Sequence, residues 1–323
     1  MQDRITRAFI ESYAGKWIDD VKTDTHRAAR KLAELGGLWS RSGKQEGFFN
    51  GIDDLLGNDR SEYYTIANRV TNTVAKNNLK RFGINFGCNA LGSGAKKLRE
   101  QAQAGHPVPW TAVITADERT LEGAGLQKLT DFTSDCREAG IYLFFLRVRA
   151  KDPGALRAYL AEFSDCAFAL FLEGCEAPAA LAADNALIAL PLGGADEAFS
   201  ALAKAGALRG VYADGAPDAR KLEEASAGAA ALDAQLLFLL SQDGPADGDA
   251  AAALSAYRAA PALPVFPVAL PDDLLQLGAR VAGRAMYLEV APDGAAALRT
   301  AEGRSPLPNV YETPLSFVLR MIK

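Results

Sequence analysis

Pro109-Trp110-Thr111-Ala112-Val113-Ile114-Thr115-Ala116-Asp117-Glu118-Arg119 is the stretch that sets the fold. It is an apolar run ending on two acids and a base, as expected of a strand that leaves a buried sheet at its carboxyl end. The same rhythm then repeats along the chain. Apolar runs fall at Trp110–Thr115, Ile141–Val148, Cys166–Leu172, Ala186–Leu192, Leu208–Ala213, Ala234–Leu240 and Leu263–Val268. Between them, helical spacing appears at Leu126–Glu138, Ala155–Glu162, Ala195–Ala205, Arg220–Ala231 and Asp249–Ala259. Glu173 to Asn185 leaves room for only a short helix. Strands alternating with helices predict parallel β-α units. The units fall short of the eight, spread over about 250 residues, that a closed barrel needs. The expected fold class over residues 106–270 is therefore α/β, built of six or seven such units.

Outward from that core, the pattern changes on both sides. Residues 1–105 carry apolar residues at helical spacing in Arg4–Lys22, Asp24–Leu35, Gln45–Leu56 and Glu62–Asn77, with breaks at Gly57-Asn58 and Asn77-Asn78. They also hold Trp17, Trp39, Tyr13, Tyr63 and Tyr64. This predicts a helical N-terminal extension packed beside the barrel. Residues 271–323 follow as a separate C-terminal segment. The alanine-rich helices at Ala227–Ala231 and Ala250–Ala253 form readily but bury little apolar area, which leaves the strands to supply the core.

Composition narrows the function classes. At 323 residues, 49% hydrophobic and 23% charged, the chain falls in the globular range. A net charge of −5 with no basic stripe speaks against a nucleic-acid surface. The longest apolar runs, such as Ala234 to Leu240, are too short to span a bilayer. Met1-Gln2-Asp3-Arg4 lacks a signal-peptide apolar region, so a cytoplasmic location is the expectation. Cys88, Cys136, Cys166 and Cys175 are scattered, the closest two having eight residues between them, and they read as reduced, mostly buried thiols rather than ligands. Gly87-x4-Gly92-Ser93-Gly94-Ala95-Lys96-Lys97 is glycine-rich but lacks the Gly-Lys-Ser/Thr ending of a phosphate loop, and reads as a connecting loop. His26 and His106 have no nucleophile motif beside them, and Pro191-Leu192-Gly193-Gly194 reads as a turn.

Several fragments in shared order carry a family resemblance. Asn85-Phe86-Gly87-Cys88-Asn89 and Gly94-Ala95-Lys96-Lys97-Leu98-Arg99-Glu100 lead into Pro107-Val108-Pro109-Trp110. Cys136-Arg137-Glu138-Ala139-Gly140-Ile141-Tyr142-Leu143 follows, and then Gly283-Arg284-Ala285-Met286-Tyr287-Leu288-Glu289-Val290-Ala291-Pro292-Asp293-Gly294. Together they resemble a bacterial subgroup of the radical S-adenosylmethionine (radical SAM) superfamily with a helical N-terminal extension. The subgroup's corresponding fragments read "NFG…KK.RE…(I/V)PW", "GKELGIYMY" and "GGRRYFHINANGDVEPC".

The resemblance implies a partial (β/α)6 TIM-like barrel over residues 106–270, which the six or seven β-α units match, and a C-terminal hairpin at Ala285–Arg299 followed by a tail. It also implies a Cys-x3-Cys-x2-Cys loop after the first strand, where three thiolates hold a [4Fe–4S] cluster. Here that loop reads Asp117-Glu118-Arg119-Thr120-Leu121-Glu122-Gly123-Ala124-Gly125, and hard carboxylates and a guanidinium do not replace thiolates. The family's "GGEP" motif, which grips the methionine moiety, is replaced by Arg147-Val148-Arg149-Ala150. Ala295-Ala296-Ala297 stands where a cysteine would follow Gly294.

The implied protein is a radical SAM-like pseudoenzyme with no iron–sulfur cluster or other cofactor. It would act by binding, as partner or regulator of an active radical SAM enzyme or of its substrate, and no oligomeric state is implied. The alternative is an enzyme that repurposed the barrel for a small anionic ligand. Ligands in such folds sit at the carboxyl ends of the strands. The candidate ligand-binding residues there are Arg147, Arg149, Asp117, Glu118, Arg119, Glu173 and Asp214, with Ser241, Gln242 and Asp243 beyond the sixth run. Arg147 and Arg149 share one strand face. Either a bound anion or salt bridges to Asp117, Glu118 or Glu173 would satisfy them.

Overall fold

Apolar runs with no polar alternation become strands covered on both faces, and this computed structural model contains them in the expected order. It describes residues 14–31, 58–59, 61–193, 196–215, 219–241 and 248–322. The expected helix at 45–56, Trp39, Gln242 and Asp243 lie outside these residues. The first described helical residues are 14–23 (α1) and 25–31 (α2).

The chain divides into two compact units, each built from two stretches: Met1–Lys80 with Pro191–Pro271, and Arg81–Leu190 with Asp272–Lys323. In the first, α3 (Glu62–Thr73) begins at an N-cap, Ser61, whose hydroxyl accepts from the Tyr63 amide. Its β-α repeat is α8 (Asp196–Lys204), β5 (Leu208–Asp214), α9 (Ala219–Ala231), β6 (Leu236–Leu240), α10 (Gly248–Ala259) and β7 (Phe266–Leu270). β5, β6 and β7 pair in parallel. The Tyr63 hydroxyl donates to the Arg258 carbonyl at 2.6 Å, tying α3 to α10.

The second unit holds α4 (Lys76–Ile84, whose last residues fall here), a π-helix (Asn85–Gly94), α5 (Ala95–Gln103), β1 (Ala112–Asp117), α6 (Gly123–Ala139), β2 (Leu143–Arg149), α7 (Ala155–Glu162), β3 (Ala167–Glu173), a 3-10 turn (Pro178–Leu181) and β4 (Ala186–Pro191). After the other unit's insertion come α11 (Asp272–Val281), β8 (Met286–Val290), β9 (Ala296–Thr300), β10 (Gly303–Leu307) and α12 (Leu315–Arg320). β1 to β4 run parallel, and β8 adds to β1 in parallel before turning back antiparallel through β9 and β10. The expected α/β class, with helical N-terminal residues and a C-terminal hairpin, is what the chain adopts.

The stretch expected to be a connecting loop around Gly87–Lys97 is instead helical. Its small residues permit the wide π turn. A Cβ at Gly94 would lie 2.6 Å from the Gly140 carbonyl, so only glycine allows that approach. The Asn85 side chain donates to the Ser164 and Cys166 carbonyls, and Asn89 donates to Asp165, fixing the turn beneath β3.

Candidate functional site

Strand register decides which side chains meet at the carboxyl end of the second unit's sheet. Phe144, Leu146 and Val148 are fully buried on one face of β2. There Phe144 stacks on Phe168, which in turn meets Tyr159 of α7 edge-on at 5.5 Å between centroids. The alternate residues Phe145, Arg147 and Arg149 therefore occupy the opposite face. Pairing sets three rows across β1, β2 and β3: Val113–Phe145–Ala169, Thr115–Arg147–Phe171 and Asp117–Arg149–Glu173. The face grows polar towards the strand ends.

Arg149 and Glu173, side by side in the last row, form an ion pair at 3.0 Å. Both are exposed. Arg147, one row deeper and half-buried, has no hydrogen-bond or ion-pair partner among the described residues. Asp117 pairs with neither arginine. Its Oδ1 accepts from the Thr120 amide and the Thr120 hydroxyl, each at 2.9 Å. Burial alone raises the Asp117 carboxyl, but these hydrogen bonds and the Arg119 charge outweigh it and hold the group below its ordinary value. The turn is closed further by Leu121 N–H donating to the carbonyls of Asp117 and Glu118, and by the Thr120 hydroxyl near the Pro292 carbonyl. Thr120 and Leu121 are buried, whereas Glu118 and Arg119 point to solvent.

Three groups that the linear sequence does not single out share this end of the sheet. Thr120 is one. Asp293 and Tyr311 are the others: β8 lies parallel to β1 and leads to Asp293, and the chain after β10 returns Tyr311 beside it, Val310 N–H donating to the Gly294 carbonyl. Asn309 organises them: its amide donates to the Asp293 carbonyl, and its Oδ1 accepts from the Tyr311 amide at 2.8 Å. The Tyr311 hydroxyl is buried without a partner, and burial, with Asp117 and Asp293 nearby, pushes it up. The β8–β9 turn was legible as a hairpin, but nothing in sequence spacing joins Tyr311 to Asp117.

Asp214 and Ser241 belong to the other compact unit, at the ends of β5 and β6, so the candidate residues divide between two places. Cys136 and Cys166 are buried, Cys88 and Cys175 partly so, and none is in a disulfide. Burial pushes the Cys136, Cys166 and Cys175 thiols up, away from the thiolate form that binds metals. Among the described residues, no group of three or more His, Cys, Asp or Glu side chains is placed to hold a metal ion, and no helix is long and apolar enough to cross a membrane.

No protein-family model matches the chain, and no curated protein matches it. Among solved structures, SuiB of Streptococcus suis is similar over 69% of this chain and 68% of its own, at 8% sequence identity and a TM-score of 0.47.

Proposed function

We propose that this chain is a radical SAM-like protein that works by binding, as partner or regulator of an active radical SAM enzyme or of that enzyme's substrate, without radical chemistry of its own. The carrying observation is the turn after β1. A cluster loop needs three deprotonated thiols with room for iron. Here the corresponding residues form a tight, self-satisfied turn in which Asp117 is committed to Thr120, Leu121 is buried, and Glu118 and Arg119 face water. The donor set does not suit a [4Fe–4S] cluster. Anaerobic reconstitution with iron and sulfide, followed by desalting, is expected to leave the protein colourless, and calorimetry is expected to detect no S-adenosylmethionine binding. A stoichiometric cluster surviving desalting would overturn the reading. The partner half is tested separately, by inspecting the flanking reading frames for a radical SAM enzyme with an intact cysteine loop and by co-purification with it. Failure to associate would remove that half alone.

A second reading has its own support. Arg147 is half-buried on the polar face with no partner among the described residues, and a guanidinium so placed suits a carboxylate or phosphate. Binding of succinate or inorganic phosphate that Arg147→Met abolishes, without lowering the melting temperature, would make the small-anion alternative the better account.

A further inference from the structure

The first unit contains a cluster that its fold does not explain. Arg209, the second residue of β5, is among the largest fully buried side chains, at 1% exposure. Its Nη2 lies 3.6 Å from Asp233 Oδ2, and its guanidinium sits over the Phe199 ring at 5.4 Å. Arg69 of α3 reaches the other oxygen of the same carboxylate, Nε to Oδ1, at 2.9 Å. Two guanidiniums thus share one aspartate. Arg209 Nε, Arg209 Nη1 and Arg69 Nη1 are buried and have no acceptor.

Buried donors are ordinarily satisfied, and a buried charge ordinarily has a counter-charge. This cluster lacks both by one anion. The neighbouring acceptor is already committed, since Gln235 Oε1 accepts from the Arg209 backbone amide while Gln235 Nε2 faces the Asp233 carbonyl and Thr73. Asp233 is also the way in. Its side chain is 49% exposed, and its backbone sits at φ 60°, a left-handed state that few non-glycine residues adopt.

We propose that Arg69 and Arg209 form a binding site for a small oxyanion, a phosphate or sulfate group either free or carried on a larger molecule, which takes the place of the Asp233 carboxylate. A tetrahedral oxyanion offers more acceptor oxygens than a carboxylate, so it serves donors that Asp233 leaves over, and planar guanidiniums match its edges. The burial that lowers the Arg209 pKa, reinforced by Arg69, reflects the same shortage of negative charge. Nothing in this site depends on the strand-end residues of the other unit.

The probe is inorganic phosphate, titrated into the full chain at constant ionic strength against chloride, with the melting temperature as readout. Wild type is expected to rise saturably. Arg69→Gln, which keeps a polar side chain of similar reach and leaves Arg209 paired with Asp233, is expected to fold and to lose the response. Arg209→Met is not needed, because it removes a core side chain and is prone to misfold. Asp233→Asn keeps a residue tolerated at positive φ and removes the competing charge. It is expected to melt lower in chloride and to be restored by phosphate, at a half-saturating concentration lower than wild type by roughly tenfold or more, the scale of one charge-assisted hydrogen bond. Arg147→Met is expected to respond like wild type. A melting temperature that tracks ionic strength alone, an Arg69→Gln response equal to wild type, an Asp233→Asn protein that phosphate never restores, or loss of the response in Arg147→Met would each overturn the proposal. If phosphate binds, adenosine monophosphate and inorganic sulfate as further titrants separate a carried phosphate group from a free ion.

Discussion

Arg147 and Arg149 are two residues apart and physically unlike. Arg149 and Glu173 are exposed at 57% and 61%, where screening by water limits an ion pair to no more than about 1 kcal/mol. Arg149→Met is therefore expected to shift the melting temperature by a degree or two at most. Arg147→Met replaces an unpaired, half-buried cation with an apolar side chain beside Phe171, and is expected to hold or raise stability. Thermal melts of the two variants in parallel check this, and a large loss in Arg147→Met would mean the guanidinium has a partner after all. Asp117 yields a pH prediction with a definite sign. Because its folded pKa is depressed, its contribution is fully present above its unfolded value of about 3.9 and is lost as pH falls from there through the folded value. Asp117→Asn, which keeps an acceptor for Thr120 but not the charge, is expected to flatten the stability profile below about pH 4, so that it is less stable than wild type at neutral pH and converges with it at the acid end. Urea midpoints from pH 2.5 to 7 test it. Sequence alone placed Asp117, Arg149 and Glu173 at strand ends because carboxyl-end residues follow from the β-α pattern. It did not reveal that Asp117 spends its carboxylate on Thr120, since side-chain direction within a turn depends on local hydrogen bonds rather than on periodicity.

Elements were legible in proportion to how much their own residues dictate them. Ala155–Glu162 was recovered as expected, and β3 and β5 to within a residue at each end, because apolar runs between turns permit little else. The π-helix was not legible: its glycines and asparagines have turn chemistry, and only the nearby carbonyls of residues 164–166 make Asn85 and Asn89 good helical residues. Asn85→Ala is expected to cost about 2 to 4 kcal/mol, since two buried carbonyls lose their donor, whereas Asn78→Ala, which gives up one contact to the Gly206 carbonyl, is expected to cost about 1 kcal/mol or less. Denaturant unfolding of both variants makes the comparison. The β8–β9 turn is constrained in the opposite way, by space. Gly294 has φ 85°, and a Cβ there would lie 2.4 Å from Asn309 Oδ1 and 2.5 Å from the Tyr311 ring. Gly294→Ala combines left-handed strain with a clash against the hydrogen-bonded Asn309 side chain and the Tyr311 ring, and is expected to cost about 2 to 5 kcal/mol. A loss below about 1 kcal/mol would show that the Asn309–Tyr311 segment moves freely.

For the chain as a whole, the order of segments matters more than their lengths. Asp272–Lys323 falls in one compact unit with Arg81–Leu190, separated from it in sequence by residues of the other unit. Trp110 shows what joins them. It is 2% exposed, its indole N–H donates to the Leu274 carbonyl at 2.7 Å, and Gly278 lies so close that a Cβ there would be 2.5 Å from the ring. Arg99 adds a hydrogen bond to the Val281 carbonyl, and β8 covers the open edge of β1 with Leu288 and Val290 buried. Burying one tryptophan removes roughly 200 Å² from water, worth about 5 kcal/mol, which is already comparable with the whole stability of an ordinary domain. A chain ended after Pro271 is therefore expected to lose cooperative unfolding of the Arg81–Leu190 segment rather than merely to shed a tail. The uncovered edge of β1 is expected to make it aggregate. In a Trp17→Phe, Trp39→Phe background, emission from Trp110 reads the outcome: it shifts to the red in the truncated chain and returns to the blue when residues 272–323 are supplied as a separate polypeptide and dock. Blue emission with a sharp melt in the truncated chain alone would mean that β1 to β4 hold Trp110 without α11 and β8, and that the C-terminal segment is an appendage to a unit already complete.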